Sequence, residues 1–323
     1  MRAERFLPGI ARILFAGFCL TLASCDDVDR NTGRESVSER TIPIVVTSNY
    51  PLHFFATRLA SGIETAPDIL LPEIDGDPAS WIPDTAQIQT LQRADLILVN
   101  GAGAEPWLNW ITLDQGSIID TSSKMPSRLI GLDASALHQH GPKGDHSHRA
   151  MAFTTWLDPQ LAIEQARAVE HALAALTPAH AAQFSNNLSV LEQDLSELDG
   201  KLSEVFEQLQ GRPVFFSHPV YQYLQRRYGI NGQSLHWEPG EEPSTPDWID
   251  LQQRLASHPA KIIIWEAEPL QSTAQRLLNA EMTSVVFETV ANRPAQGDLL
   301  SLMLRNAQQL QTTLQRTATV GAK

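Results

Sequence analysis

From Phe184 the apolar residues of the chain fall at Leu188, Leu191, Leu195, Leu198, Leu202, Val205 and Leu209, in alternating steps of four and three. Only an α-helix brings such positions onto one side, because its period is 3.6 residues per turn. The stripe predicts one amphipathic helix of about 30 residues, roughly 45 Å long at 1.5 Å per residue. Its other positions are filled by Glu, Gln, Asp and Ser. A helix of this length either serves as the spine of a larger body or pairs with a copy of itself as a coiled coil. The flanking segments favour the spine, because both carry α/β patterns able to cover the stripe.

On the N-terminal side, the β-branched run Ile42–Ser48 is followed by a helical pattern over Pro51–Ala60. The unit recurs, with a strand at Ile69–Leu71, a helix over 84–93, and the apolar strand Leu96–Asn100 running into the Gly101-Ala102-Gly103 turn. Past the long helix it restarts at Pro213–His218, with a helix from Val220 to Tyr228 stopped by Gly229 and strands at Lys261–Trp265 and Ser284–Phe287. Repeated strand-helix units imply mainly parallel, buried sheets. The expected fold is therefore α/β, with two lobes, each a mainly parallel sheet flanked by helices, joined by one long rigid α-helix. The expected divisions are an N-terminal lobe over 41–157, a helical linker over 158–211 and a C-terminal lobe over 212–323. The two lobes are not obvious sequence repeats of each other.

The first 24 residues read as a signal peptide, in which Arg2, Arg5 and Arg12 precede an apolar run from Ile13 to Ala23. That run is too short to span a bilayer core, which takes about 20 apolar residues. Leu22-Ala23-Ser24-Cys25 looks like a bacterial lipobox, which makes Cys25 the expected site of lipid attachment. The polar stretch 25–40 is the expected tether, and Asp26-Asp27 resembles the signal that retains lipoproteins at the inner membrane. The other cysteine, Cys19, lies inside the signal, so the mature chain has none left for an internal disulfide. The formal net charge of −13 makes phosphate backbones poor partners, which argues against nucleic acid binding. The expected location is the periplasmic face of the inner membrane, with the protein lipid-anchored and monomeric.

Between His138 and His148 the chain reads HQHGPKGDHSH, which places His138, His140, His146 and His148 in two H-x-H pairs around a Gly/Pro turn. Neutral imidazoles are good ligands for zinc, copper and nickel. The competing reading is a solvated polar loop, but four of the ten histidines within eleven residues point to metal. His218 stands at the end of an apolar strand, just before a helix, where ligands bind in open α/β sheets. Glu266 and Glu288 follow the runs 262–265 and 285–287, so they too lie at strand ends, although carboxylates there also cap helices or pair with arginine. The same groups suit a zinc hydrolase with Glu266 or Glu268 as base. The chain has no H-E-x-x-H, no G-x-S-x-G and no phosphate-binding Gly loop, so an enzyme is not expected. His53, His171, His180, His236 and His258 are isolated and read as core or surface residues.

Over residues 42–310 the sequence resembles the solute-binding proteins of zinc and manganese ABC importers, cluster A-I. The likeness rests on Val45–Leu52, on Ala94–Gly103 with Glu105 and Trp107-Leu108, on Trp156-Leu157-Asp158-Pro159, on Phe216-Ser217-His218 with Tyr228-Gly229, and on Gly297–Met303. It implies a metal held between two lobes and delivered to a permease in the inner membrane. In that family a first His follows an Asp-Pro pair, but Asp77-Pro78 is followed here by Ala79-Ser80-Trp81. A second precedes the Trp of W-L-D-P by two residues, where this chain has Thr154. The third matches His218, and the fourth, a carboxylate, corresponds best to Glu288, with Glu266 close by. The chain is thus a divergent member lacking two of the usual His ligands, and the loop 138–148 is expected to supply their replacements. Zn2+ is the expected ion, with Mn2+, Cu2+ and Ni2+ as competitors. A binding protein for another cargo, such as a metal chelate, is the alternative, since Trp81 brings apolar bulk to a ligand-bearing stretch.

Overall fold

Every apolar run read as a strand enters one of two four-stranded sheets in the computed structural model, which describes residues 42–74, 76–132 and 151–320. The first sheet contains β1 (Ile44–Thr47), β2 (Asp68–Leu70), β3 (Leu96–Val99) and β4 (Ile118–Asp120), in the order β2-β1-β3-β4. The second contains β5 (Val214–Phe216), β6 (Gly232–Ser234), β7 (Ile262–Trp265) and β8 (Thr283–Val286), in the order β6-β5-β7-β8. All six pairings are parallel. The central strands β3, β5 and β7 are buried at every position, which is why they read as unbroken apolar runs and not as alternating ones.

The two sheets share one strand order although their sequences do not repeat. In each, the chain moves outward from the first strand to one edge, then returns past it and builds toward the other edge. The reversal lies between β1 and β3 in the first lobe and between β5 and β7 in the second. Beyond the carboxyl ends of such strand pairs an open parallel sheet leaves a crevice.

Local chemistry sets the helix ends. Asn49 caps α1 (Tyr50–Ala60) by accepting from the Leu52 N–H at 3.0 Å. Capping boxes open α2 (Thr85–Arg93) through Asp84 and Gln87, and α6 (Thr245–Ser257) through Ser244 and Asp247. Gly229, at φ +60°, ends α5 (Gln222–Tyr228) in the left-handed conformation that glycine adopts without strain.

The predicted spine is α4 (Ala181–Glu207), 27 residues long and about 40 Å from end to end. Before it comes α3 (Pro159–Leu176), linked through a turn at Pro178–His180. Leu191, Leu195, Leu198, Leu202 and Val205 are buried. They are covered by α1, α3 and α7 (Leu299–Val320), so the stripe is used inside the chain and offers no coiled-coil seam. One apolar core continues from Val45 and Phe55 of the first lobe, past Leu191 and Leu202, to Phe216, Ile264 and Leu310 of the second. A fully buried Leu, Ile or Phe contributes about 1.5–3 kcal/mol, which makes this shared core the main force joining the lobes. Directional ties add to it. The Trp156 indole donates to the Thr289 carbonyl at 2.7 Å, the Tyr50 N–H to the Ala291 carbonyl at 3.0 Å, and the Tyr223 hydroxyl to the Ala152 carbonyl at 2.8 Å. No helix among the described residues is long and apolar enough to cross a membrane.

Candidate functional site

His218 owes its position to the strand before it. Phe216 is the last residue of β5, and the buried Ser217 still donates from its N–H to the Ile264 carbonyl at 2.8 Å. Past this point the chain turns tightly, with the Val220 N–H donating to the His218 carbonyl at 2.9 Å, and the imidazole projects at the reversal point beside β7. Glu266 follows the fully buried Trp265 at the end of β7. A third segment arrives after β6, where the N–H groups of Leu235 and Trp237 donate to the carbonyls of Phe216 and Ser217 at 2.8 Å each. That extended pairing buries Leu235 and Trp237 and sets Glu238 beside the histidine.

The resulting cluster is close. His218 Nε2 lies 3.4 Å from Glu238 Oε1, and His218 Nδ1 lies 3.6 Å from Glu266 Oε1. Burial pushes the Glu266 carboxyl up to about 7, and the neighbouring charges of Glu238 and Asp77 push it the same way. Glu266 and Glu288 both bear on the buried Tyr221 phenol, which burial holds well above its ordinary value and which donates to the Phe287 carbonyl at 2.6 Å. Glu288 is fixed through its backbone, its N–H donating to Asn306 Oδ1 at 3.1 Å and its carbonyl accepting from Asn306 Nδ2 at 2.8 Å. The second lobe therefore brings His218 and Glu266 together and adds Glu238, while Glu288 is linked to them only through its charge effect on Tyr221. Glu268 is exposed.

The first lobe contributes Asp77, whose Oδ1 accepts from the Ala79 N–H at 2.9 Å and caps the short turn Pro78–Ser80. Its charge adds to the upward push on the Glu266 carboxyl. Asn292 reinforces the closure by donating to the Gly76 carbonyl. Trp81 does not fill the cleft. It turns into the first-lobe core and meets Trp107 edge-on, with ring centroids 5.4 Å apart. Thr154 is buried, and its hydroxyl donates to the Val220 carbonyl at 2.5 Å.

At the carboxyl end of β3 lies a buried polar knot. Glu105 accepts from the Ser48 hydroxyl at 2.6 Å, the Asn100 N–H at 2.8 Å and the Gly101 N–H at 3.1 Å. Complete burial pushes its carboxyl up to about 7 against the pull of those hydrogen bonds. Gly101 has φ +76°, and a Cβ there would lie 1.9 Å from Asp120 Oδ1, so the turn requires glycine. These contacts make the quoted Asn-Gly-x-Gly-x-Glu stretch a structural brace.

The isolated histidines are core or surface residues as read. His258 is buried with Nε2 2.9 Å from the Val214 carbonyl, His53 is buried against Arg293, and His171 and His236 are exposed. Among the described residues no three His, Cys, Asp or Glu side chains are grouped closely enough to enclose an ion. His138, His140, His146 and His148 lie outside the described residues, as does Cys25. Sequence reasoning missed Glu238 and Asp77. The signal for Glu238 was the alternation of Leu235 and Trp237 with polar residues, an extended edge running on from β6.

Two parallel-sheet lobes on a shared helical spine, with ionisable side chains facing one another across the strand ends, define a two-lobe solute-binding protein. Residues 45–313 match the family described as zinc-uptake complex component A, periplasmic, and the chain belongs to that family. The chain is 26% identical over 243 residues to the high-affinity zinc uptake system protein ZnuA of Yersinia pestis, covering 70% of this chain and 75% of the relative. To the protein of the same name in Bacillus subtilis it is 23% identical over 257 residues, covering 78% and 79%. The Zn(II)-bound ZnuA-like domain of Streptococcus pneumoniae AdcA superposes with a TM-score of 0.70 at 21% identity, covering 84% of this chain and 98% of that one, a likeness of fold.

Proposed function

We propose that this chain captures a divalent metal ion, zinc, in the cleft between its lobes and delivers it to the permease of an ABC importer, with no bond made or broken in a substrate. The observation that carries this reading is His218, held at the reversal point of the second sheet between Glu238 and Glu266, with Asp77 of the first lobe nearby. Carboxylates gathered around one imidazole repel each other in a partly dry site, and a divalent cation is the ligand that relieves the repulsion. In this reading His218, Glu266 and Glu288 form the second-lobe half of the site.

In this reading His138, His140, His146 and His148 supply the first-lobe donors in place of Ala79 and Thr154. In support, both ends of that segment reach the second lobe. Gly131 pairs with Met151, and the Tyr223 hydroxyl, five residues past His218, donates to the Ala152 carbonyl at 2.8 Å and accepts from the Ile130 N–H at 3.2 Å. Imidazole-rich coordination favours zinc over manganese, with copper and nickel as the ions to exclude. The relatives named as zinc uptake proteins support the same choice. A lipid on Cys25 holds the monomer at the periplasmic face of the inner membrane, next to the permease.

Elemental analysis of tag-free protein from its own compartment, followed by zinc titration, tests the reading. Bound zinc, and an affinity that falls at least 100-fold in His218→Ala, are expected. A wild-type protein that takes up no zinc overturns it. Changing all four loop histidines to Ala is expected to weaken zinc at least tenfold, and unchanged affinity removes the loop from the site. Cys25→Ser is expected to release the protein from the membrane fraction.

A further inference from the structure

The two nitrogens of His218 face two different carboxylates, from segments of different accessibility. Nε2 is 3.4 Å from Glu238 Oε1, and Glu238 lies toward solvent with its side chain 40% exposed. Nδ1 is 3.6 Å from Glu266 Oε1, and Glu266 lies deeper with its side chain 22% exposed. Two donors each 2.0–2.1 Å from a tetrahedral ion stand about 3.4 Å apart. Both gaps are close to that of two ligands on one cation, and Glu238 is the carboxylate an incoming ion meets first because it is the more accessible of the two. A histidine that binds metal through one nitrogen commonly gives its other N–H to a carboxylate, which fixes the tautomer and the ring plane, and Glu266 stands within ion-pair range of Nδ1, a few tenths of an ångström from accepting that N–H.

The backbone around Glu238 is built to hold it there. The Trp237 N–H is tied to the Ser217 carbonyl at 2.8 Å, and the Trp237 ring is buried against Trp248 and Trp265, with centroids 4.8 Å and 6.2 Å away. Within the metal-capture reading, on which this step rests, we infer that Glu238 Oε1 and His218 Nε2 are the paired second-lobe ligands of the ion, and that Glu266 is a positioning residue that acts on His218 through Nδ1. Glu238 thus takes a ligand role, and the conspicuous strand-end carboxylate Glu266 is assigned to orientation.

Zinc titration of the full chain against a competing chelator, combined with nitrogen NMR of the His218 ring in the metal-free protein, tests this assignment. Glu238→Gln is expected to weaken zinc at least 30-fold while leaving the His218 tautomer with its proton on Nδ1. Glu266→Gln is expected to weaken zinc about 10-fold, as loss of such an orienting partner does, and to move the proton to Nε2 in a measurable fraction of molecules. Glu241→Gln, an exposed neighbour that removes the same charge, is the control and is expected to change affinity less than twofold. If wild-type protein binds zinc but Glu238→Gln weakens it no more than Glu241→Gln, the 3.4 Å contact is an ion pair only and the assignment fails. If Glu266→Gln leaves the tautomer unchanged, the positioning role fails. A wild-type chain that binds no zinc overturns the metal-capture reading and this assignment with it.

Discussion

The Thr154 hydroxyl donates to the Val220 carbonyl at 2.5 Å, joining the segment that leads into α3 to the turn that follows His218. Thr154 is buried, and through this bond it helps to hold the lobes together. Thr154→Val keeps the shape and removes the donor, leaving a buried carbonyl unpaired at a cost of about 1–3 kcal/mol. The expected result is a thermal midpoint lower by roughly 2–4 °C per kcal/mol lost, read by calorimetry. An unchanged midpoint would show that the hydroxyl does not join the lobes.

Trp81 belongs to the core of the first lobe, against Trp107, and not to the cleft. Trp81→Ala is expected to cost about 3–5 kcal/mol, as large-to-small core changes of an aromatic do, and Trp81→Phe less. Zinc affinity of the folded Trp81→Phe protein is expected to stay within twofold of wild type. A large gain or loss of affinity in that variant would place the ring in the binding site after all.

Glu105 gives the stability a slope with pH. Its carboxyl is pushed up to about 7 in the folded chain, above its ordinary value of 4.5, so the folded state holds the proton more tightly than the unfolded one. Its contribution is fully present below pH 4.5 and is lost as pH rises through 7. Glu105→Gln sets an amide N–H against the Gly101 N–H and is expected to be less stable than wild type throughout. The gap between the two proteins should narrow between pH 5 and 8 in denaturant titrations; a constant gap would mean that Glu105 is ionised throughout.

His53 slopes the other way. Burial, with Arg293 Nη2 2.9 Å from its Nε2, lowers its pKa to about 4, so the folded state favours the neutral ring. That contribution is fully present above pH 6.5 and is lost as pH falls through 4. His53→Gln keeps an acceptor for Arg293 and does not titrate, so the stability of wild type relative to this variant is expected to fall between pH 7 and pH 4. Equal pH profiles for the two proteins would show that the ring titrates normally.

Much of the fold was legible because it is written in short-range periodicity. The three-four spacing from Phe184 to Leu209 specifies α4, and the unbroken apolar runs of β3, β5 and β7 specify buried parallel strands. His218 and Glu266 were legible for the same reason, since each directly follows such a run or lies just beyond it. A strand's own pattern says where it ends, and in a parallel sheet the carboxyl ends of neighbouring strands lie together.

What the sequence alone left open was which distant segments meet. Glu238 reaches His218 only because residues 235–237 pair with the chain past the end of β5, and Asn292 meets the Gly76 carbonyl only because the lobes close over a shared core. The inward turn of Trp81 and the cross-lobe bond of Thr154 were decided in the same way. Periodicity encodes which face of an element is buried, since that depends on neighbours three or four positions away. The partner on the other side of the cleft is set by how whole elements pack, and only the tertiary structure could decide it.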